Sequence, residues 1–360
     1  MNPRLLISIL LPALAASCVQ AQEALPKASK IETRYSLSVL NDATVYGGLR
    51  VPLPTVLNQL LVEPTFSMRR RDRWNFSTSL IGSTTTDQDT ATQLHVRETY
   101  AGLSAGDFDF TAGRKLVRWG TGYAFTPAGV LDPPRNPTNP TDRLNLNVGR
   151  DMVKADFVHG PHALQLAWAT AALTPAASNL RDTTAFRYNV LVHGFDTSLI
   201  ASHDRSGDTE GALTFTRVFG QAWEVHSEAA WREQAAVLLG AKFVAANGVT
   251  FIGEFYTPPN TAYFRDRTQS PQAGRPHYAF ADLSKSRLRE RPGWKEWDLD
   301  AYIVANLDDH SSTTAFNATR RFGNRFSAYL HGEMPAGSKT SEYGMTPYSS
   351  AISMGVHFQL

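Results

Sequence analysis

The last nine residues alternate without a break. Ile352, Met354, Val356, Phe358 and Leu360 fall on one face of an extended chain; Ser353, Gly355, His357 and Gln359 fall on the other. Successive side chains of a strand point to opposite faces, so the segment has one apolar and one polar surface. Terminal residues of a domain usually fray, yet here the pattern sharpens toward the end. Strict period two suits a strand with lipid on one side and water on the other. It also suits a half-buried strand of a soluble sheet, and this segment alone leaves both readings open.

The same alternation recurs along the chain. It is clear in Trp74–Thr84, Leu94–Leu103, Leu164–Thr170, Phe186–Val192, Ala222–Arg232, Val249–Thr257, Asp298–Asn306 and Phe326–Glu333. In Ala222–Arg232 one face reads Trp223, Val225, Ser227, Ala229, Trp231, and the other Glu224, His226, Glu228, Ala230, Arg232. Water has no use for the first face, and a dry core cannot accept the second. Beyond the N-terminus no run of about 18 apolar residues occurs, so no spanning helix is expected. A membrane-crossing form would have to be a closed barrel, because lipid cannot satisfy an open sheet edge.

Connections between these segments alternate between tight and long. Tight turns are expected at Arg70–Arg73, Ala105–Asp107, Gly160–His162, Gly194–Phe195, Phe219–Gly220, Ala246–Gly248 and Phe322–Asn324. Longer polar or Gly/Pro-rich loops fall at Thr121–Arg150, Thr174–Asp182, Asp204–Gly211, Pro258–Arg275 and Pro335–Ser349. The nearly tight Ala230–Ala236 connection is an exception. Alternation of side requires a further strand at His277–Lys285, with a longer inner turn through Arg287–Gly293. Strands also fit Ile31–Leu40, Asn58–Arg69, Phe108–Trp119, Met152–His159, Thr197–His203, Ala212–Val218, Ala236–Ala245 and Thr313–Arg321. The expectation is all-β: a transmembrane antiparallel β-barrel of about 18 strands, with short periplasmic turns and long extracellular loops. Sixteen strands also satisfy the parity. Trp74, Phe108, Phe195, Phe219 and Phe322 sit at or beside tight turns, as an interfacial girdle would, although aromatics are common in strands generally.

The first residues have the form of a secretory signal. Arg4 precedes the apolar run Leu5–Ala16, and Val19-Gln20-Ala21 offers a small-residue cleavage site. Cleavage after Ala21 leaves residues 22–360 as one unit, since no linker-like break follows. Cys18 is the single cysteine, and a lipoprotein site there would lack the bulky aliphatic residue three positions before it. A mature chain without cysteine has neither disulfides nor thiolate chemistry. Hydrophobic residues make up 42% and charged residues 19%, and a net charge of +2 argues against a nucleic-acid partner. Asp87, Asp89, Asp204, Asp208, Asp308 and Asp309 lie in outer loops, but no EF-hand spacing accompanies them, so no metal or cofactor is expected.

Two stretches carry a family resemblance. The terminal strand resembles the one by which bacterial outer-membrane barrels are recognised for assembly, although those end more often in Phe. Val96–Pro140 reads Arg97-Glu98-Thr99-Tyr100-Ala101-Gly102-Leu103, a tight turn, then Phe108-Asp109-Phe110-Thr111-Ala112-Gly113-Arg114-Lys115 and a long loop. This resembles general diffusion porins, in which a similar hairpin precedes a third loop that folds into the lumen. Arg118-Trp119-Gly120-Thr121-Gly122-Tyr123-Ala124-Phe125-Thr126-Pro127 departs from that pattern. It is more similar to other outer-membrane barrels, some of which pass polysaccharides or small molecules. The resemblance implies location in the outer membrane, contact with its lipid and lipopolysaccharide, delivery by the barrel-assembly machinery, and passage of small solutes. It leaves monomer and trimer open.

The residues beneath the resemblance can be read directly. Thr121–Arg150 holds Pro133, Pro134, Pro137 and Pro140 and four asparagines. Loops this long are usually functional or disordered. With Trp119, Tyr123 and Phe125 it is expected either to pack inside the barrel as a constriction or to form an extracellular flap. Glu98 and Arg114 are expected nearly opposite one another on the lipid face, which costs about 2–4 kcal/mol for a charge at mid-depth. A bulge near Gly102 or Gly113 would turn the pair inward. Parity assigns Arg34, Arg97, Lys154 and Arg187 to the lumen in early strands, and Glu224, Glu228, Glu254, Asp298, Asp300 and Glu333 in later ones. Glu63, Asp156, Arg232, Lys242 and Arg321 are exceptions. The pore-lining set is therefore Arg97, Glu98, Arg114, Arg118, Trp119, Tyr123, Lys154, Arg187, Glu224, Glu228, Glu254, Asp298, Asp300 and Glu333. A basic wall facing an acidic one would orient polar solutes, whereas scattered solvated charges would not.

Three functions are compatible with such a chain. A passive or substrate-preferring pore needs no catalytic group. A barrel enzyme would need a nucleophile or metal set, and neither Gly-x-Ser-x-Gly nor His-Glu-x-x-His occurs. His203, His226 and His331 are expected to be solvated lumen residues. An adhesion or assembly component would instead use the outer loops.

Overall fold

A computed structural model describes residues 31–360, apart from 52–53, 71–72, 88–89, 134, 139–143, 145, 172–181, 259–276, 289–292 and 295. The signal segment and most of Pro258–Arg275 and Thr174–Asp182 lie outside the described residues.

Eighteen strands run in chain order. They are β1 (Ile31–Gly47), β2 (Val56–Arg70), β3 (Trp74–Thr86), β4 (Thr90–Ala105), β5 (Phe108–Lys115), β6 (Arg150–His159), β7 (His162–Thr170), β8 (Thr183–Val192) and β9 (Phe195–Asp204). The second half comprises β10 (Thr209–Phe219), β11 (Trp223–Trp231), β12 (Ala235–Val244), β13 (Val249–Thr257), β14 (Tyr278–Lys285), β15 (Trp297–Asn306), β16 (Ser311–Phe322), β17 (Phe326–Ala336) and β18 (Ser350–Gln359). Each pairs antiparallel with the next, and β1 pairs with β18, so the sheet closes into a barrel without an edge. The C-terminus is part of the seam: Leu360 N donates to Leu37 O at 2.9 Å, and Val39 lies across from Phe358.

The alternation decides which way each strand faces. Ile352, Met354 and Val356 of β18 point outward and are exposed, while Ala351 and Ser353 are buried on the inner side. Outward residues of β11 and β12 (Trp223, Val225, Trp231, Val237, Leu239) are likewise exposed, opposite inward Glu224, His226 and Glu228. An apolar surface that encircles the sheet calls for lipid, and closure satisfies the backbone there. The strands therefore span a membrane. Phe108, Phe195, Phe219 and Phe322 are exposed beside the short turns.

Of the strand bounds that differ from expectation, two have a visible cause. β1 continues past Leu40 to Gly47, because Asn41 and Asp42 do not break the pattern: Asp42 faces inward, accepting from Tyr329 Oη at 2.5 Å and Thr44 Oγ1 at 2.9 Å. β5 stops at Lys115 rather than Trp119, because Leu116 N donates to the Glu98 carboxylate at 2.8 Å and leaves the ladder. Short turns occupy one rim, with residues 286–296 as its long member. The opposite rim carries the loop at 116–149 and a 3-10 turn at Tyr343–Met345, but also tight connections such as 232–234.

Candidate functional site

The hairpin at β4–β5 is built differently from its expected form. The register of β3 against β4 shifts between Ser79↔Glu98 and Leu80↔Val96, which leaves Arg97 as the extra residue of a bulge. Val96 thus faces lipid while Glu98 and Tyr100 face inward. The bulge lies at Arg97, not at Gly102 or Gly113. Across the ladder Arg114 opposes Thr99, so Glu98 and Arg114 do not pair. Glu98 accepts from Leu116 N, and Arg114 makes a two-pronged bond to Asp151 at 2.7 and 3.2 Å.

From that start the chain crosses the lumen. Residues 116–149 leave between β5 and β6 and bond to β11, β13 and β15 on the far side. Two inward carboxylates receive the crossing. Glu228 accepts the N–H groups of Thr121, Gly122 (2.8 Å) and Ala128 (2.8 Å), together with Thr121 Oγ1 at 3.1 Å. Glu254 accepts those of Tyr123, Ala124 (2.9 Å) and Phe125 (3.3 Å). Both glutamates are buried. Toward the loop backbone the oxygens of both carboxyl groups serve as acceptors. Asp132 folds the loop on itself by accepting from Trp119 N (2.6 Å) and Gly120 N (3.2 Å). Gly122 is needed because a Cβ there would collide with the Phe125 carbonyl and Leu238.

Apolar packing supports the latch. Phe125 stacks on Tyr256 (centroids 4.7 Å) and lies 5.7 Å from Tyr278. Val130 and Leu131 belong to one cluster with inward Ala167, Ala169, Ala185, Ala212, Ala230 and Ala236. Small side chains on the inner wall make room for the loop. Farther along, Tyr302 Oη donates to Thr138 O at 2.9 Å. The loop at 337–349 packs in as well: Glu342 accepts from Tyr278 Oη (2.7 Å) and Asn306 Nδ2 (2.8 Å).

Behind the latch lies a bridge that the sequence reading missed. His226, Gly240 and Glu254 occupy one row across β11, β12 and β13. The His226 ring lies over Gly240, where a Cβ would collide with it, and its Nε2 meets Glu254 Oε1 at 3.0 Å. His226 is therefore a buried structural residue, not a solvated one; His331 too is buried, with Nδ1 at 2.7 Å from Asn317 Oδ1. His203 faces outward.

Below the latch Tyr123 is only part-buried. Its hydroxyl donates to Glu224 Oε1 at 3.0 Å and accepts from Lys242 Nζ at 3.2 Å. Its ring lies edge-on to His226 and 5.2 Å from the Lys242 ammonium. Burial and the charge of Glu224 hold the phenol above its ordinary range, so it remains a neutral donor.

The remaining expected lining residues are dispersed. Arg97 pairs with Glu63 at 2.8 Å, Lys154 with Asp156 at 2.6 Å, and Arg187 donates to Ser198 Oγ at 3.0 Å. Asp298 pairs with Arg321 at 2.8 Å, and Glu333 accepts from Tyr348 Oη at 3.2 Å. Asp300 faces inward next to β14. Arg118 is exposed on the loop, while Trp119 is buried beneath it. Among the described residues no cluster of metal-ligating side chains occurs.

No family model and no curated protein sequence matches the chain. Its fold is nevertheless shared with solved outer-membrane porins. OccK11 (OpdR) of Pseudomonas aeruginosa superimposes with a TM-score of 0.60 at 10% identity, over 91% of this chain and 96% of that one. OccK5 (OpdH) of the same organism gives 0.60 at 9% identity, over 91% and 98%. Wzi of Escherichia coli, described as an outer-membrane protein involved in group 1 capsule assembly and a carbohydrate-binding β-barrel, gives 0.58 at 7% identity, over 90% and 84%. At these identities the likeness concerns the fold alone.

Proposed function

We propose that the protein is an outer-membrane channel for small polar solutes or ions, narrowed by residues 116–149. The observation that carries this reading is the pair of buried glutamates, each accepting three backbone N–H groups of the crossing segment. So many charge-assisted bonds fix a loop in one position, as a constriction requires. Solutes then pass beside Tyr123, Lys242 and Glu224 from the short-turn side, which is taken as periplasmic.

A second reading is a channel that prefers one solute, such as a saccharide. The inward packing of two loops favours it, since Phe125, Tyr256 and Tyr278 fill space that a wide diffusion pore would leave to water. The description of Wzi as carbohydrate-binding is consistent with it.

Planar-bilayer recording of the purified protein tests the channel itself, which is expected to give discrete ion-conducting steps. Lys242→Met removes the cation beside Tyr123 and should shift the reversal potential in a KCl gradient toward cation preference. Absence of conductance in the wild-type protein at any voltage would remove both readings.

A further inference from the structure

The short-turn rim contains one construction made twice. Thr216-Arg217-Val218-Phe219-Gly220 and Thr319-Arg320-Arg321-Phe322-Gly323 share the pattern Thr-Arg-x-Phe-Gly. Each closes a strand, β10 and β16, and each glycine has positive φ (61° and 72°), which starts the turn.

The surroundings repeat too. Arg217 lies directly across from Phe195, the first residue of β9, and Arg320 from Trp297, the first residue of β15. Phe219 lies across from Trp223 of β11, and Phe322 from Phe326 of β17. The Arg217 guanidinium sits 4.4 Å from the Phe195 ring and 4.7 Å from Phe219. The Arg320 guanidinium sits 5.7 Å from Trp297 and 4.9 Å from Phe322.

Both arginines share parity with lipid-facing residues: Phe215 and Phe219 flank Arg217, and Ala318 and Phe322 flank Arg320. Neither side chain makes a hydrogen bond or ion pair with any described residue. Arg321 provides the contrast: one position on, it faces the lumen and bonds Asp298 at 2.8 Å. A guanidinium carries five N–H donors in a rigid fork that matches phosphate oxygens. Here each guanidinium sits near two rings at the short-turn rim with those donors unspent. At that depth the abundant acceptor is the phosphodiester of a lipid headgroup.

We propose that Arg217 and Arg320, each with its two aromatic neighbours, form two sites for the phosphate of an anionic phospholipid in the leaflet at the short-turn rim. The aromatic rings orient the guanidinium and cover the first acyl carbons. Each arginine brings a charge that the protein leaves uncompensated, which favours a headgroup with net negative charge over a zwitterionic one. The proposal depends on the barrel spanning a membrane, but not on its conducting.

The test uses native mass spectrometry of the full-length folded barrel in detergent, titrated with phosphatidylglycerol and, separately, with phosphatidylcholine. The wild-type protein should retain up to two phosphatidylglycerol molecules in preference to phosphatidylcholine. Arg217→Gln and Arg320→Gln should each weaken one site, lowering apparent affinity there roughly fivefold. The double variant should weaken both, and Arg→Lys at either position should restore only part. Heat-modifiable electrophoretic mobility confirms that each variant is folded, and conductance should be unchanged. Equal phosphatidylglycerol binding by wild type and the folded double variant would overturn the proposal. So would displacement of the lipid by inorganic phosphate, which would mark a general anion site.

Discussion

Glu228→Gln is the sharpest probe of the latch, because it keeps the shape of the side chain and changes only its bonding. Glu228 Oε1 serves Thr121 and Gly122, while Oε2 serves Ala128 N at 2.8 Å. An amide offers one oxygen and one N–H₂ group. Whichever way it turns, its donors face a backbone donor of the loop. One charge-assisted bond is lost, worth about 1.5–3 kcal/mol, and a buried N–H is left unpaired at a cost of about 1–3 kcal/mol. The bonds that remain lose the charge that strengthened them. The latched position should weaken by about 3 kcal/mol, which is roughly a 10²-fold change in the ratio of latched to released loop. Single-channel recording should show a larger conductance level that is rare in the wild type and common in the variant. Glu254→Gln should act similarly, and the double variant should fall short of the sum, because both residues hold one segment. If folded single and double variants keep the wild-type step size and dwell times, the carboxylates do not hold the loop, and the reasoning fails.

Two further outcomes follow from the same geometry. Gly240→Ala places a methyl group where the His226 ring lies, so the His226–Glu254 bond should break, lowering stability by about 1–3 kcal/mol; the readout is the thermal midpoint of the heat-modifiable band, and an unchanged midpoint would refute the bridge. At the long-loop rim, hydrogen bonds from Arg232 and Ser206 hold the Asp208 carboxyl below its ordinary range. A depressed folded value means that the contribution of this contact is full above the unfolded pKa near 3.9 and fades as pH falls through the folded value. Carboxyl-carbon NMR should therefore place the Asp208 midpoint below the ordinary aspartate range, and Arg232→Gln should move it upward; no movement would dismiss Arg232 as the cause.

Much of the barrel was legible because one rule, period two, acts on every strand independently. His277–Lys285, required only by alternation of side, is present as β14 (Tyr278–Lys285). The errors arose where a local departure cancels the rule. One extra residue at Arg97 reverses every face beyond it, so parity counted straight through β4 placed Glu98 on lipid. The latch was hidden for another reason. Its donors are backbone N–H groups, which carry no sequence signature, and its acceptors looked like any inward glutamate. A signal did exist in the inward positions of β7, β8, β10, β11 and β12, where Ala167, Ala169, Ala185, Ala212, Ala230 and Ala236 stand in place of polar residues. A wet wall has no need of small apolar side chains, whereas a wall that receives a loop does.

The charge pattern of the lumen bears on selectivity in a way that parity alone could not reveal. A transverse field needs unpaired charges of one sign on each wall. Arg97 and Lys154 instead have acids beside them on their own wall, at 2.8 and 2.6 Å, and a close ion pair acts at a distance only as a dipole. On the opposite wall Glu228 and Glu254 spend their charge on loop N–H groups and are shielded from solution. What remains open to a passing solute is local. Tyr123, Lys242 and Glu224 meet under the latch. Discrimination should therefore follow substitutions at the Tyr123 cluster much more strongly than substitutions at Arg97 or Lys154, whose partners would be left to the water beside them.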